Sequence, residues 1–174
     1  GPEGFAATTQ RFDCPGEQSE GLEANAEDCL QLDVYAPSSI ATTEPLPVLV
    51  WLQGASEGGR PGRDRDGGAL SVEQRMVVVV PNARKGPLGW LSAPRLGSPS
   101  GREGNFALSD HRSALRWVQR NIAAFGGDPT RVMLAGQGVG ATAACAHVGY
   151  VCLRHIPQAV LNVIVVSYLL GLFY

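Results

Sequence analysis

Two short runs, Val48–Leu49–Val50–Trp51–Leu52 and Val77–Val78–Val79–Val80, contain no polar break. This continuity constrains the fold more than any other feature. A strand that alternates can leave one face wet, but a strand apolar at every position has to be covered on both. Helices on both faces of a parallel sheet provide that cover. A third strand, Arg131–Leu134, leads through a glycine-rich turn into an alanine-rich helix from about Ala141. Residues 110–125 follow a helical period, with Leu115, Val118, Ile122 and Phe125 on one face. Asp110, Arg112, Arg116, Gln119 and Arg120 are the polar positions around that face, and Gly126–Gly127–Asp128–Pro129 ends it. A half-buried strand is read at Leu30–Tyr35 and a helical turn at Ser71–Arg75. The rhythm predicts an α/β domain with a mostly parallel sheet flanked by helices. Material for a core is ample, since 44% of the 174 residues are hydrophobic and 17% charged.

Fourteen basic and sixteen acidic residues leave a net charge of −2, which gives no footprint for nucleic acid. No metal and no cofactor is expected. Cys145 and Cys152 are seven apart on a predicted helix, about 10 Å of rise, which is too far for a mutual disulfide. Both are read as buried thiols. Cys14 and Cys29 flank a polar loop and form the favoured pair. An extracellular compartment follows only if that bridge exists.

The turn Gly136–Gln137–Gly138–Val139–Gly140 sits between strand and helix, where a nucleophile elbow of the form G-x-S-x-G would sit. The flanking glycines are present, but the centre is Gly138, so a hydrogen stands in place of the hydroxyl. As a phosphate-binding turn the run fails, because a dinucleotide fingerprint needs G-x-G-x-x-G and this one reads G-x-G-x-G-A.

Several stretches occur together and in order. They are Glu27–Asp28–Cys29–Leu30 with Leu32–Asp33–Val34–Tyr35–Ala36–Pro37, then Asn105–Phe106–Ala107–Leu108–Ser109–Asp110, Ala114–Leu115, Trp117–Val118–Gln119, Asn121–Ile122 and Phe125–Gly126–Gly127–Asp128–Pro129. In these the chain resembles the type-B carboxylesterase/cholinesterase family across residues 12–162. The resemblance implies a partial α/β-hydrolase fold lacking the family's first strands and its C-terminal part. It implies a domain over residues 1–162 with a divergent apolar tail at 163–174. It also implies a Cys14–Cys29 bridge and an Arg84–Asp110 ion pair; a solvated Arg84 is the alternative.

For the site, the resemblance puts Gly138 at the serine position and Val139 where an alanine N–H completes the oxyanion hole. Gln53–Gly54–Ala55–Ser56 stands where members carry His/Tyr-Gly-Gly-Gly, so Ala55 and Ser56 bring side chains to places where glycine lets backbone approach a carbonyl. Losing one such donor costs about 3–4 kcal/mol of transition-state stabilisation. The family's acid and histidine fall beyond residue 174. Of the histidines present, His147 is read as packing, His111 as surface or structural, and His155 has no recognisable partner. On these grounds the chain is expected not to be an enzyme. It resembles instead the non-hydrolytic neuroligin-type adhesion proteins and the carboxyl-terminal domain of thyroglobulin. The expected role is therefore protein association or secretion support, at the cell surface or outside it, with other proteins or a second copy as partner. Two alternatives stay open: a degenerate or truncated isoform of a carboxylic-ester hydrolase, and a truncated product with no folded role of its own.

Residues 15–28 hold no aromatic, so no choline site is expected, since cation–π capture of a quaternary ammonium needs one. Residues 155–174 carry no formal charge with His155 neutral, but Pro157, Gln158 and Asn162 interrupt the run. A membrane contact by this tail is the least favoured reading, behind a buried strand with an apolar end and behind unrelated sequence.

Overall fold

The computed structural model describes residues 14, 28–38, 44–54, 67–91, 104–153 and 161–163. Among the described residues five strands form one sheet: β1 (Leu32–Tyr35), β2 (Leu46–Leu52), β3 (Val77–Pro81), β4 (Gly127–Gly136) and β5 (Leu161–Val163). Four helices accompany them among the same residues: α1 (Gly68–Gln74), α2 (Gly86–Trp90), α3 (Phe106–Asn121) and α4 (Val139–Leu153). The strand order is β1-β3-β2-β4-β5, with β1 antiparallel to β3 and the other three pairings parallel.

The continuous apolar runs are buried on both faces, as their lack of alternation requires. On one face Val48, Val50, Leu52, Val77, Val79, Val132 and Leu134 meet Val118 and Ile122 near the end of α3 and Ala143 and Ala144 of α4. On the other, Leu49, Val78, Val80 and Ala135 form a smaller cluster against Tyr35, Trp51, Met76 and Met133. Trp90 and Trp117 pack on the edge of the larger cluster and stay half-buried.

Packing revises several local expectations. Helix α3 begins at Phe106, four residues ahead of the predicted start, and gives way to a 3-10 turn at Ile122–Phe125. The tighter winding shifts the side-chain phase. Phe125 therefore leaves the core face, is 42% exposed and packs against Trp117 at 5.7 Å between ring centroids. Cys145, predicted as a buried thiol, is exposed; the side chain of Cys152 lies outside the described residues. Helix α2 has no apolar period to announce it and starts at Gly86 (φ 52°) with Pro87 in its first turn, where a missing N–H costs nothing.

Cys14 and Cys29 are joined by a disulfide with Cα atoms 4.8 Å apart. Of the tail, only Leu161–Val163 is described, as the strand beside β4. Among the described residues no helix is long and apolar enough to cross a membrane.

Candidate active site

Register decides where the site lies. Leu52, the last residue of β2, is level with Gly136, the last residue of β4. The segment leaving β2 (Gln53–Gly54) and the turn leaving β4 (Gly136–Gly140) therefore emerge side by side at the carboxyl ends of parallel strands. In open α/β sheets that edge is where ligands bind.

The turn is built by close approach of backbone. A Cβ added to Gly136 would come within 2.5 Å of the Gly140 carbonyl carbon, and one added to Gly140 would come within 2.1 Å of the Leu52 carbonyl oxygen. Gly54 abuts the turn as well, its imaginary Cβ 2.9 Å from the Gln137 carbonyl oxygen. Gly138 differs from all three. It has φ 54° at the apex, and no atom lies within 4 Å of where its Cβ would be. The apex therefore has room for a side chain and the strained conformation of an elbow, while its flanks admit none.

Hydrogen bonds hold this shape. The Gly140 N–H donates to the Gln137 carbonyl at 2.8 Å, the Thr142 N–H to the Gly138 carbonyl at 3.2 Å, and the Gln137 N–H to the Leu52 carbonyl at 3.4 Å. From Val139 the chain continues as the fifteen-residue α4. The N–H groups of its first turn have no partner within the helix and favour negative charge.

Beside the turn a cleft is lined by Gln53, Gly54, Asn82, Arg84, Trp90, Ala107, His111 and Val139. Arg84 fixes its wall. The guanidinium donates to Asp110 from Nε at 2.9 Å and from Nη2 at 2.6 Å, and the Arg84 backbone N–H adds a third bond at 3.1 Å. Asp110 is buried, and the guanidinium also lies 4.8 Å from the centre of the Phe106 ring. Hydrogen bonding to Asp110 raises the Arg84 pKa above its ordinary value. Asn82 ties the wall to β1: its side chain donates to the Cys29 carbonyl at 3.1 Å and its backbone N–H to the Gln31 carbonyl at 2.8 Å.

His111, expected at the surface or in a structural role, stands in the cleft wall. It is 5% exposed, as is His147 of α4, and the two rings meet edge to face at 5.7 Å. His111 Nδ1 and His147 Nε2 are buried without a hydrogen-bond partner among the described residues. Burial, with the nearby His147 second, pushes His111 down to about 4; burial, with Arg112 second, does the same to His147. No sequence signal marks this pair, because thirty-six positions separate its members and only the α3–α4 packing joins them. Of the predicted site residues, Gln53 and Gly54 adjoin the elbow Gly136–Gly140, Arg84 meets Asp110, and Ala55 and Ser56 lie outside the described residues.

A mostly parallel sheet with a tight elbow between β4 and α4 defines an α/β-hydrolase-type fold. The sequence profile described as "Carboxylesterase family" matches residues 3–167, and the chain belongs to that family. It is 41% identical over 154 residues to "Fumonisin B1 esterase" of Sphingopyxis macrogoltabida, covering 82% of this chain and 28% of that protein. It is 46% identical over 117 residues to "Carboxylesterase 4A" of Bos taurus, covering 67% and 20%. Among solved structures a "PNB esterase" superposes with a TM-score of 0.64 at 35% identity, covering 78% of this chain and 28% of that one. The chain thus spans a fifth to just over a quarter of the length of these relatives.

These matches correct the expectation that the chain is not an enzyme. The relatives are esterases by name, and the family points to ester hydrolysis. The expectation rests on one side chain at position 138 and on an acid and base that fall beyond residue 174. A chain covering so little of its relatives says nothing about groups that lie elsewhere in them, and the backbone that shapes the elbow is in place.

Proposed function

We propose that this chain carries the oxyanion side and the elbow of a carboxylic-ester site, and that the protein it represents hydrolyses carboxylic esters. The observation supporting this most is the elbow itself: Gly138 at φ 54° with open space above it, gripped by Gly136 and Gly140 and flanked by Gly54. In ester hydrolysis a water oxygen adds to the carbonyl carbon, charge builds on the carbonyl oxygen, and collapse breaks the acyl C–O bond, the alcohol leaving with a proton given up by the water and the acid remaining. The N–H groups that would meet that charge are those at the start of α4 not already bonded within the turn, as Gly140 is to Gln137, and those after β2. With hydrogen at 138, the attacking oxygen comes from outside that position.

The intact protein is assayed with p-nitrophenyl butyrate. Release of p-nitrophenolate above the buffer rate, lowered about tenfold or more by Gly54→Val, supports the reading, because the new side chain presses on the Gln137 carbonyl. Neither binding nor turnover of the ester overturns it.

A second role, protein association outside the cell, is favoured by the Cys14–Cys29 disulfide and by exposed apolar side chains, Leu88 (61%) of α2, Leu91 (48%) just after it and Val139 (37%) at the elbow. A second copy or another protein would cover these side chains. Sedimentation of the oxidised protein tests it, and a concentration-independent monomer counts against self-association.

A further inference from the structure

We propose that the His111–His147 pair is an acid-released latch for α4: with both rings neutral the helix stays packed on α3 and the sheet, and with both protonated it lifts away while the sheet remains formed. The proposal goes beyond the ester reading and does not depend on it. Its first support is the way α4 is held. Up to residue 149, the side chains this helix buries are those of Ala141, Ala143, Ala144 and His147. Three of these are single methyl groups, each contributing little to holding a helix down. His147 is the large anchor among them, and it meets His111 of α3 edge to face. The sheet has no such dependence, because β2 and β3 bury Val48, Val50, Leu52, Val77 and Val79, none of which titrates.

The second support is that the closed pair has no place for a proton. His111 Nδ1 and His147 Nε2 are buried without a hydrogen-bond partner among the described residues, so a proton added there meets no acceptor. No free counter-charge stands by either. From Val139 to Leu153, α4 carries no acidic or basic side chain other than His147. On α3 the neighbouring charges are Asp110 and Arg112. Asp110 favours a charged His111, but less than burial and His147 oppose it, and its carboxylate already accepts three bonds from Arg84. Arg112 bears on His147 with the unfavourable sign. Arg84 and Lys85, which line the cleft with His111, are cations too. Two imidazolium rings at 5.7 Å would repel each other where nothing solvates them, and lifting α4 gives both access to water. Each ring stays neutral to about pH 4 in the closed state, so between 6.5 and 4 every proton taken up favours the open one. Because α4 begins at Val139 in the elbow, its first-turn N–H groups move with it.

The test is amide hydrogen exchange on the intact protein at pH 6.5 and 4.5, corrected for the intrinsic pH dependence of exchange, with the histidine rings followed by 15N NMR. The expected result is that protection of the α4 amides over residues 143–149 falls about tenfold or more beyond any fall in β2 and β3. The His111 and His147 rings charge over the same pH range, and return to pH 6.5 restores protection. In the double variant His111→Gln/His147→Gln, whose side chains do not titrate, the extra loss disappears. An equal loss in α4 and the strands overturns the latch, since acid then acts only by unfolding the whole domain. Unchanged α4 protection while the rings charge overturns it as well, and so does an undiminished loss in the double variant. The first two outcomes are read in the unmutated protein, so they decide the matter even where the double variant fails to fold. None of them bears on ester hydrolysis at neutral pH.

Discussion

The elbow and the cleft wall meet at one edge of the sheet but are built from different material. The elbow is almost entirely backbone. Its shape comes from glycines packed closer than a methyl group allows, and the apex residue contributes no side chain to that shape. The wall is built from side chains: a buried carboxylate holding an arginine, and two histidines leaning on each other. The contrast shows that a site can lose a side chain at its apex without losing its frame. A wall made of ion pairs and imidazoles has no such tolerance and responds to pH.

Four measurements test the contrast, from the largest effect to the smallest. Gly140→Ala drives a methyl into the Leu52 carbonyl, a contact that neither β2 nor α4 can relieve. It should cost more than about 3 kcal/mol and abolish a cooperative melt. A melt within a few degrees of the unmutated protein would mean the turn is looser than its close contacts imply.

Acid attacks the wall instead. His111 and His147 remain neutral in the folded protein down to about 4, against 6.5 for an ordinary histidine. Between those values the unfolded chain binds more protons, so stability falls as pH drops from 6.5 and the loss is complete just below 4. The size is about 3 kcal/mol per histidine, less whatever the two share through their coupling. Urea titrations from pH 7 to 4 measure the slope, and His147→Gln should flatten it.

Asp110→Asn leaves Arg84 with a weaker acceptor. Because the guanidinium side chain is 36% exposed, water softens the loss to about 2 kcal/mol, well short of a fully buried pair. The change should also vanish from a double mutant in which Arg84 is already Met. Gly138→Ser should do least. The space is open and only the positive φ opposes a side chain, so thermal denaturation should register about 1 kcal/mol. A loss as large as that of Gly140→Ala would erase the distinction between apex and flanks.

Much of the frame is legible in the sequence for a physical reason. Unbroken runs such as Val77–Val80 admit few burial environments, and a strand–glycine–helix sequence admits few turns. The Arg84–Asp110 pair cannot be read from local pattern, because its members lie twenty-six residues apart; only the family resemblance suggests it. Phe125 departs from its expected face because a four-residue change of helix type rotates a side chain out of phase. Cys145 departs from expectation because its helix is apolar all round and period alone does not fix its buried face. The place of His111 in the cleft wall is not legible, because an isolated histidine after an aspartate has no signature of its own. The largest correction is chemical: one missing hydroxyl at position 138 does not decide what a whole protein does.

Asn82 both lines the cleft and grips the carbonyls of Cys29 and Gln31. The covalent cross-link at Cys29 is therefore a guy-rope for the cleft as well as a staple for the chain. Protein matured without oxidation would keep its sheet yet hold the mouth of the cleft more slackly, so redox history would appear at the cleft before any change in fold.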